Sequence, residues 1–252
     1  MKVKFLGTGC SIGIPEIGCQ CEVCTSSDIR DRRKRASVLI SVGEKRLLID
    51  CGPDFKEQII NEPFAKLDGV LLTHEHYDHV GGIDDLRAFS KFGDVDIYAN
   101  EITCEGVYNR MPYCFAKEKY PGVPDINLHA LDGEIPFYID GIEVIPVWVM
   151  HYKLPIFGYR IDNFAYLTDV LTIPEKEYAK LRGLDILVIS ALRYKPHISH
   201  QNLEQALNVI KRIAPKQAYL MHMSHSLGLH AVEDAKLPQG VNLAYDGLEL
   251  II

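Results

Sequence analysis

Thr73-His74-Glu75-His76-Tyr77-Asp78-His79 sets three imidazoles and the Asp78 carboxylate within six positions. It follows Gly69-Val70-Leu71-Leu72, an apolar run that reads as a buried strand, so the cluster falls where a strand ends and a loop begins. In α/β proteins, sites are built at such strand ends. His74 and His76 alternate as in a strand and face the same way, while Asp78 and His79 follow once the chain has turned. One side of the cluster then serves one metal ion and the other side a second, roughly 3.5–4 Å away. A histidine-rich surface loop is the plainer reading. Four ligand-type residues packed directly behind an apolar strand speak against it.

One loop cannot enclose two ions, so the remaining ligands must come from far along the chain. His151 ends the apolar run Ile145 to Met150, Asp169 follows Phe164 to Thr168, and His222 follows Ala218 to Met221. His200 opens a helix after the strand Ile186 to Ile189. Each alone is an ordinary polar residue at a strand end. Together they repeat one pattern, a hydrophobic strand and then a ligand.

His74-x-His76-x-Asp78-His79, followed by a downstream His, Asp and His at strand ends, resembles the metallo-β-lactamase-fold hydrolases. Leu47-Leu48-Ile49-Asp50-Cys51-Gly52 looks like the first motif of that superfamily, in which Asp50 would stand behind the ligands and fix the histidine loop. More specific stretches resemble the PhnP-type cyclic phosphodiesterases of phosphonate breakdown. These are Leu6-Gly7-Thr8-Gly9-Cys10, Gly13-Ile14-Pro15, Gly18-Cys19-Gln20-Cys21-Glu22-Val23-Cys24 and His151-x-Lys153-Leu154-x-x-Phe157-Gly158-Tyr159. Met221-His222-Met223-Ser224-His225 and Tyr245-Asp246-Gly247-Leu248-Glu249 continue the likeness. The chain departs from the pattern between about residues 101 and 131, where it is longer.

The resemblance implies a four-layer αββα sandwich; periodicity alone gives only a mixed α/β chain. By ligand type, His74, His76 and His151 are expected to hold one ion and Asp78, His79 and His222 the other, with Asp169 bridging. Manganese or zinc suits these donors. Such a pair lowers the pKa of a water and neutralises phosphoryl oxygens. Asp78 and His200 are the expected catalytic residues. His200 resembles the family's catalytic histidine and would protonate the leaving oxygen; His197 is the rival for that role. The implied substrate is a small-molecule phosphodiester, a five-membered cyclic phosphate on ribose.

The chain has seven cysteines. Cys10, Cys51, Cys104 and Cys114 are scattered and read as buried thiols. Cys19-x-Cys21-x-x-Cys24 offers three thiolates, one ligand short of tetrahedral zinc. The family resemblance supplies the fourth by position, His225. A loop of reduced thiols without metal is the alternative.

Lys+Arg 27 against Asp+Glu 34 gives a net charge of −7, which disfavours long nucleic acid as a partner. No apolar run reaches the ~20 residues of a membrane span, and the start has no signal-like core. A cytoplasmic protein without membrane partner is expected. No linker or composition shift interrupts the 252 residues, so a single domain is expected, 1–252, with a Cys-rich zinc loop at about residues 10–34. Arg32-Arg33-Lys34-Arg35 offers charge for a second phosphate or forms a solvated turn. The segment from Tyr108 to Tyr120 lines the pocket or forms the contact of a homodimer. The hairpin signal Tyr245-Asp246-Gly247 predicts that Val241–Ala244 and Leu248–Ile251 pair with each other.

Three other functions fit parts of the pattern. A tRNA 3′-processing endoribonuclease shares the ligands and the opening Leu-Gly-Thr-Gly, but would carry a long basic arm. A lactone or thioester hydrolase has less use for His200. A non-catalytic binding protein would not need all seven ligands.

Overall fold

The computed structural model describes residues 1–252. Fourteen strands form two seven-stranded sheets. The first contains β1 (Lys2–Gly7), β2 (Ser37–Val42), β3 (Lys45–Ile49), β4 (Gly69–Leu71), β5 (Val95–Asn100) and β6 (Ile126–Leu131). The second contains β7 (Phe137–Ile139), β8 (Ile142–His151), β9 (Leu154–Ile161), β10 (Phe164–Leu167), β11 (Ile186–Ser190), β12 (Gln217–Met221) and β13 (Val241–Leu243). The last strand, β14 (Glu249–Ile251), returns to the first sheet beside β1. Five α-helices complete the chain: α1 (Phe55–Ile59), α2 (Tyr77–Val80), α3 (Glu101–Arg110), α4 (Leu203–Ile213) and α5 (His230–Asp234). The two longest of five 3₁₀ stretches cover Ile83–Phe92 and Glu175–Leu181.

The layering follows from strands that are apolar on both faces. In β3, Leu47 and Ile49 point between the sheets and meet Phe157, Tyr159 and Tyr166, while Leu48 points outward onto Phe55, Leu86 and Phe89. In β11, Val188 faces the other sheet, and Leu187 and Ile189 face Leu203, Ala206 and Ile210 of α4. Three cores thus separate four layers, αββα, as the family resemblance implied. Helix α4 begins with a capping box, Asn202 accepting from the Gln205 amide while Gln205 reaches back to the Asn202 amide. Strand β9 admits Pro155 because that residue stands in the part of β9 that pairs with β8 alone.

The expected C-terminal hairpin does not form. Val241–Leu243 pairs in parallel with β12, whereas Glu249–Ile251 pairs with β1 in the opposite sheet. An Asp-Gly turn between two short apolar runs reverses the chain but does not specify which sheet each run joins. Here Tyr245-Asp246-Gly247 crosses between sheets, and the buried Asp246 carboxylate holds the crossing by accepting from Thr8 Oγ1 (2.8 Å) and the Lys34 amide (2.7 Å). Two side chains of the basic run are also committed. The Arg33 guanidinium is buried on Thr8 Oγ1, the Ala244 carbonyl and His230 Nδ1, and Arg35 pairs with Asp54 at 2.9 Å.

This network contains two opposed titrations. Burial pushes the Asp246 carboxyl up to about 6, so the fold favours its protonated form, and that contribution is lost as pH rises through this range. Burial, then the neighbouring Arg33, pushes His230 down to about 4, so its contribution is lost as pH falls from its ordinary range toward 4. The slopes cancel in part across mildly acidic pH. Asp246→Asn removes one of them, so its melting temperature should fall more steeply than the wild type's between pH 6.5 and 4. Parallel melting profiles for the two proteins would show that this pair does not titrate as described.

Candidate metal centre

The histidine loop is held from three sides. The Asp50 carboxylate accepts from the Thr73 amide (2.8 Å), from Thr73 Oγ1 (3.0 and 2.9 Å) and from His79 Nδ1 (2.7 Å). Tyr159 donates its hydroxyl across the sheets to the Leu72 carbonyl at 2.6 Å, and the Phe157 amide bonds to the Thr73 carbonyl at 3.0 Å. Gly52 lies so close beneath the loop that a Cβ there would stand 2.1 Å from the Asp78 carbonyl oxygen. Three strand ends that carry polar residues turn through left-handed backbone: Asp50 (φ 61°), Asp169 (φ 54°) and His222 (φ 55°).

All seven residues expected as ligands meet at one place. His74, His76 and His151 bring nitrogens within 4.8 Å of one another, as do the donor atoms of Asp78, His79 and His222. Asp169 reaches both groups: its Oδ2 is 3.2 Å from His79 Nε2 and its Oδ1 is 3.3 Å from His222 Nε2, while its carboxylate also lies within 4.8 Å of donor nitrogens of His74 and His151. The Nε2 of His74 and Nδ1 of His76 are 3.0 Å apart, so both can face one ion. Second contacts orient the rings. His79 Nδ1 is taken by Asp50, and His151 Nδ1 by the Ser199 carbonyl at 2.9 Å, which leaves the Nε2 lone pairs inward.

The donors fit divalent cations. His79 Nε2 and both His222 nitrogens are buried with no hydrogen-bond partner, and a cation is what satisfies inward-facing lone pairs of this kind. Burial holds His74 and His76 below the usual histidine range, in the neutral form that ligates. Burial opposes charge on His79, yet Asp78, Asp50 and Asp169 together raise it well above that range. For Asp78 and Asp169 burial works upward, but the surrounding histidines hold both carboxyls low. Burial keeps Asp50 raised in spite of His79. The proton that His79 retains among three carboxylates is one that a cation would displace.

His200 packs against the cluster, its ring centroid 4.6 Å from His151 and 5.1 Å from His222, and its Nδ1 3.5 Å from Asp169 Oδ1. Burial pushes it down to about 3. His197 stands one shell further out, with its Nδ1 bonded to Ser199.

Cys19, Cys21 and Cys24 converge on His225, with Sγ to Nδ1 distances of 3.3, 3.3 and 3.5 Å. His225 Nε2 is engaged by Glu16 at 3.0 Å, which turns Nδ1 toward the sulfurs. A bond from the Cys24 amide lowers the Cys21 thiol to about 6, whereas burial raises Cys24 to about 11. All seven cysteines are free, and three sulfurs with one imidazole fit a closed tetrahedral ion. The loop is knit to the His222 strand end by bonds between Cys10 N and the Met223 carbonyl and between Met223 N and the Thr8 carbonyl, both 3.1 Å. Cys10, Cys51, Cys104 and Cys114 are buried.

Sequence reasoning did not find the Ser199 carbonyl behind His151, since a backbone acceptor leaves no trace in residue type. It also left the segment after α3 undecided. Arg110 lies over the Tyr77 ring at 6.0 Å, which brings the end of α3 to the histidine loop.

Residues 45–223 match the β-lactamase superfamily domain. A crystal structure of a diphosphatase from the PhnP family superposes with a TM-score of 0.92 at 40% identity, over 99% of this chain and 96% of that one. Zn²⁺-bound PqqB from Methylobacterium extorquens, at 22% identity, has a TM-score of 0.78 with both chains fully covered, a likeness of fold. The octanoyltransferase of Porphyromonas gingivalis is 43% identical over 254 residues; all of this chain is covered, but it spans only 52% of that relative's length. The chain belongs to the β-lactamase superfamily, in its PhnP family. It is a hydrolase of the metallo-β-lactamase fold, and that fold implies a divalent metal at the histidine–carboxylate cluster. No helix is long and apolar enough to cross a membrane.

Proposed function

We propose that the chain is a phosphodiesterase of small substrates, in the first instance ribose cyclic phosphates. Its proposed ligands are His74, His76 and His151 for one ion and Asp78, His79 and His222 for a second, with Asp169 facing both. Zinc or manganese suits these sites. Cys19, Cys21, Cys24 and His225 are proposed to hold a structural zinc. The observation that carries the reading is His200, an imidazole lodged against the cluster beside Asp169. An alkoxide leaving group needs a proton donor at that place; an acyl-ester site has less use for one.

Two divalent ions, when bound, supply Lewis acidity and hydroxide near neutral pH. The chain supplies the rest. Asp78 and Asp169 balance part of the cationic charge, Asp50 fixes the His79 tautomer, and Ser199 fixes that of His151. Water that has given up a proton to solvent bonds to phosphorus through its oxygen as the bond from phosphorus to the leaving oxygen breaks, and His200, protonated when the phosphoryl group docks, passes its proton to the leaving oxygen. Burial keeps His200 neutral in the free protein, and the negative charge of a docked phosphoryl group acts in the opposite direction.

A nitrophenyl diester and a ribose cyclic phosphate should turn over, and a nitrophenyl monoester much more slowly. Faster turnover of the monoester, or of a lactone, thioester or tRNA precursor, would replace this reading. His200→Ala should cost about 10²-fold on the ribose substrate and clearly less on the nitrophenyl diester, whose phenolate leaves unaided, with metal content intact. Equal losses on both substrates would remove His200 from the proton transfer. Octanoyl transfer is not carried over from a relative of which this chain spans about half.

A further inference from the structure

Two buried aspartates follow apolar strands into the cluster through left-handed backbone, Asp50 after β3 and Asp169 after β10. What already occupies their oxygens separates them. A carboxylate has about four lone-pair sites. On Asp50 the Thr73 amide and hydroxyl take Oδ1, and the same hydroxyl and His79 Nδ1 take Oδ2. No site is left for an ion. On Asp169 the only hydroxyl or amide donor is Thr168, whose Oγ1 donates to Oδ2 at 2.8 Å. The other sites are left to the histidines and to a cation. Thr168 is itself fully buried, and its hydroxyl has no second acceptor.

The backbone at Asp169 is fixed from elsewhere. The Val170 amide donates to Ser190 Oγ at 3.0 Å, and the Gln201 amide donates to the Val170 carbonyl at 2.8 Å. Those bonds leave the carboxylate torsion free, and a terminal torsion of this kind is broad by nature. We infer that Thr168 is a positioning residue: its hydroxyl pins that torsion where the Asp169 carboxylate reaches both donor groups of the metal centre. The assignment rests on Asp169 as the shared ligand and not on the substrate. Two effects oppose each other here. A donated hydrogen bond makes a carboxylate a weaker base, which weakens ligation, whereas a fixed orientation strengthens it. Loss of a group behind a metal ligand typically lowers affinity about 10- to 100-fold, so orientation outweighs basicity.

The test is a calorimetric titration of the full chain with manganese(II) after its cluster has been stripped by a mild chelator. Thiolates disfavour manganese, so the Cys19, Cys21, Cys24 and His225 site stays outside the titration. Wild type should take up two ions. Thr168→Val keeps the shape without the hydroxyl and should bind at least one of them about 10- to 100-fold more weakly. Thr168→Ser restores the hydroxyl and should recover most of that loss. In an Asp169→Asn background, Thr168→Val should add little, because the two residues act as one unit. A merely structural role would instead lower the melting temperature of the metal-free protein and leave manganese affinity unmoved. Should Thr168→Val not fold, Thr168→Ala against Thr168→Ser makes the same comparison, again one hydroxyl apart. Unmoved affinity without the hydroxyl, a loss that serine does not recover, or losses that add to those of Asp169→Asn would overturn the inference. A wild type that binds fewer than two manganese ions would overturn the shared-ligand reading first, and this inference with it.

Discussion

Asp169→Asn should lower phosphodiester hydrolysis by about 10³-fold or more and reduce the metal bound at the cluster. The carboxylate stands 3.2 Å from His79 Nε2 and 3.3 Å from His222 Nε2, and a donor oxygen of it also clusters with His74 of the other group. With Asp78 it is one of the two carboxylates proposed as ligands beside five histidines, so its loss would leave the two proposed ions with Asp78 as their one anionic ligand. The asparagine side chain keeps the shape and tolerates the left-handed backbone, which confines the change to charge and ligation. Metal analysis and turnover should therefore fall together. A variant that retains both ions and works within tenfold of wild type would remove Asp169 from the bridging position.

Cys21→Ser should release one tightly bound zinc per chain and lower the melting temperature by about 10 °C or more, because structural zinc binding is coupled to folding. Cys21 is the sulfur most ready to bind as thiolate, its thiol lowered to about 6 by the bond from the Cys24 amide. Hydrolysis should fall only in part. The loop is bonded to Met223, the neighbour of His222, so its loosening reaches the cluster through one strand end and leaves the other ligands in place. Unchanged zinc content in this variant would dismiss the structural site.

Where the sequence was legible, one residue type had one plausible use. Four ligand-type residues behind Gly69–Leu72, and later histidines and an aspartate each ending an apolar run, located the site before any topology was known. The two-faced apolar strands were also readable, although their arrangement in four layers needed the family likeness. The C-terminal pairing was not legible, because Val241–Leu243 and Glu249–Ile251 have three residues each and an Asp-Gly turn suits a crossing as well as a hairpin. Arg32 to Arg35 stayed open between an anion contact and a solvated turn, because residue type does not tell which cations the fold buries; here Arg33 is committed to Thr8, Ala244 and His230, and Arg35 to Asp54.

The left-handed strand ends at Asp50, Asp169 and His222 set catalysis against durability. Each is a place where glycine would relax the backbone at no steric cost, and where a residue with a Cβ is retained against strain of about 1–3 kcal/mol. An alanine scan through these positions would therefore mix a conformational penalty with the loss of chemistry, and asparagine is the fairer probe at the two aspartates. The same opposition leaves a mark across a family. A relative with glycine at the position of Asp169 or His222 would have exchanged its centre for an easier turn, and a single residue would then distinguish a working enzyme from a chain that has kept only the scaffold.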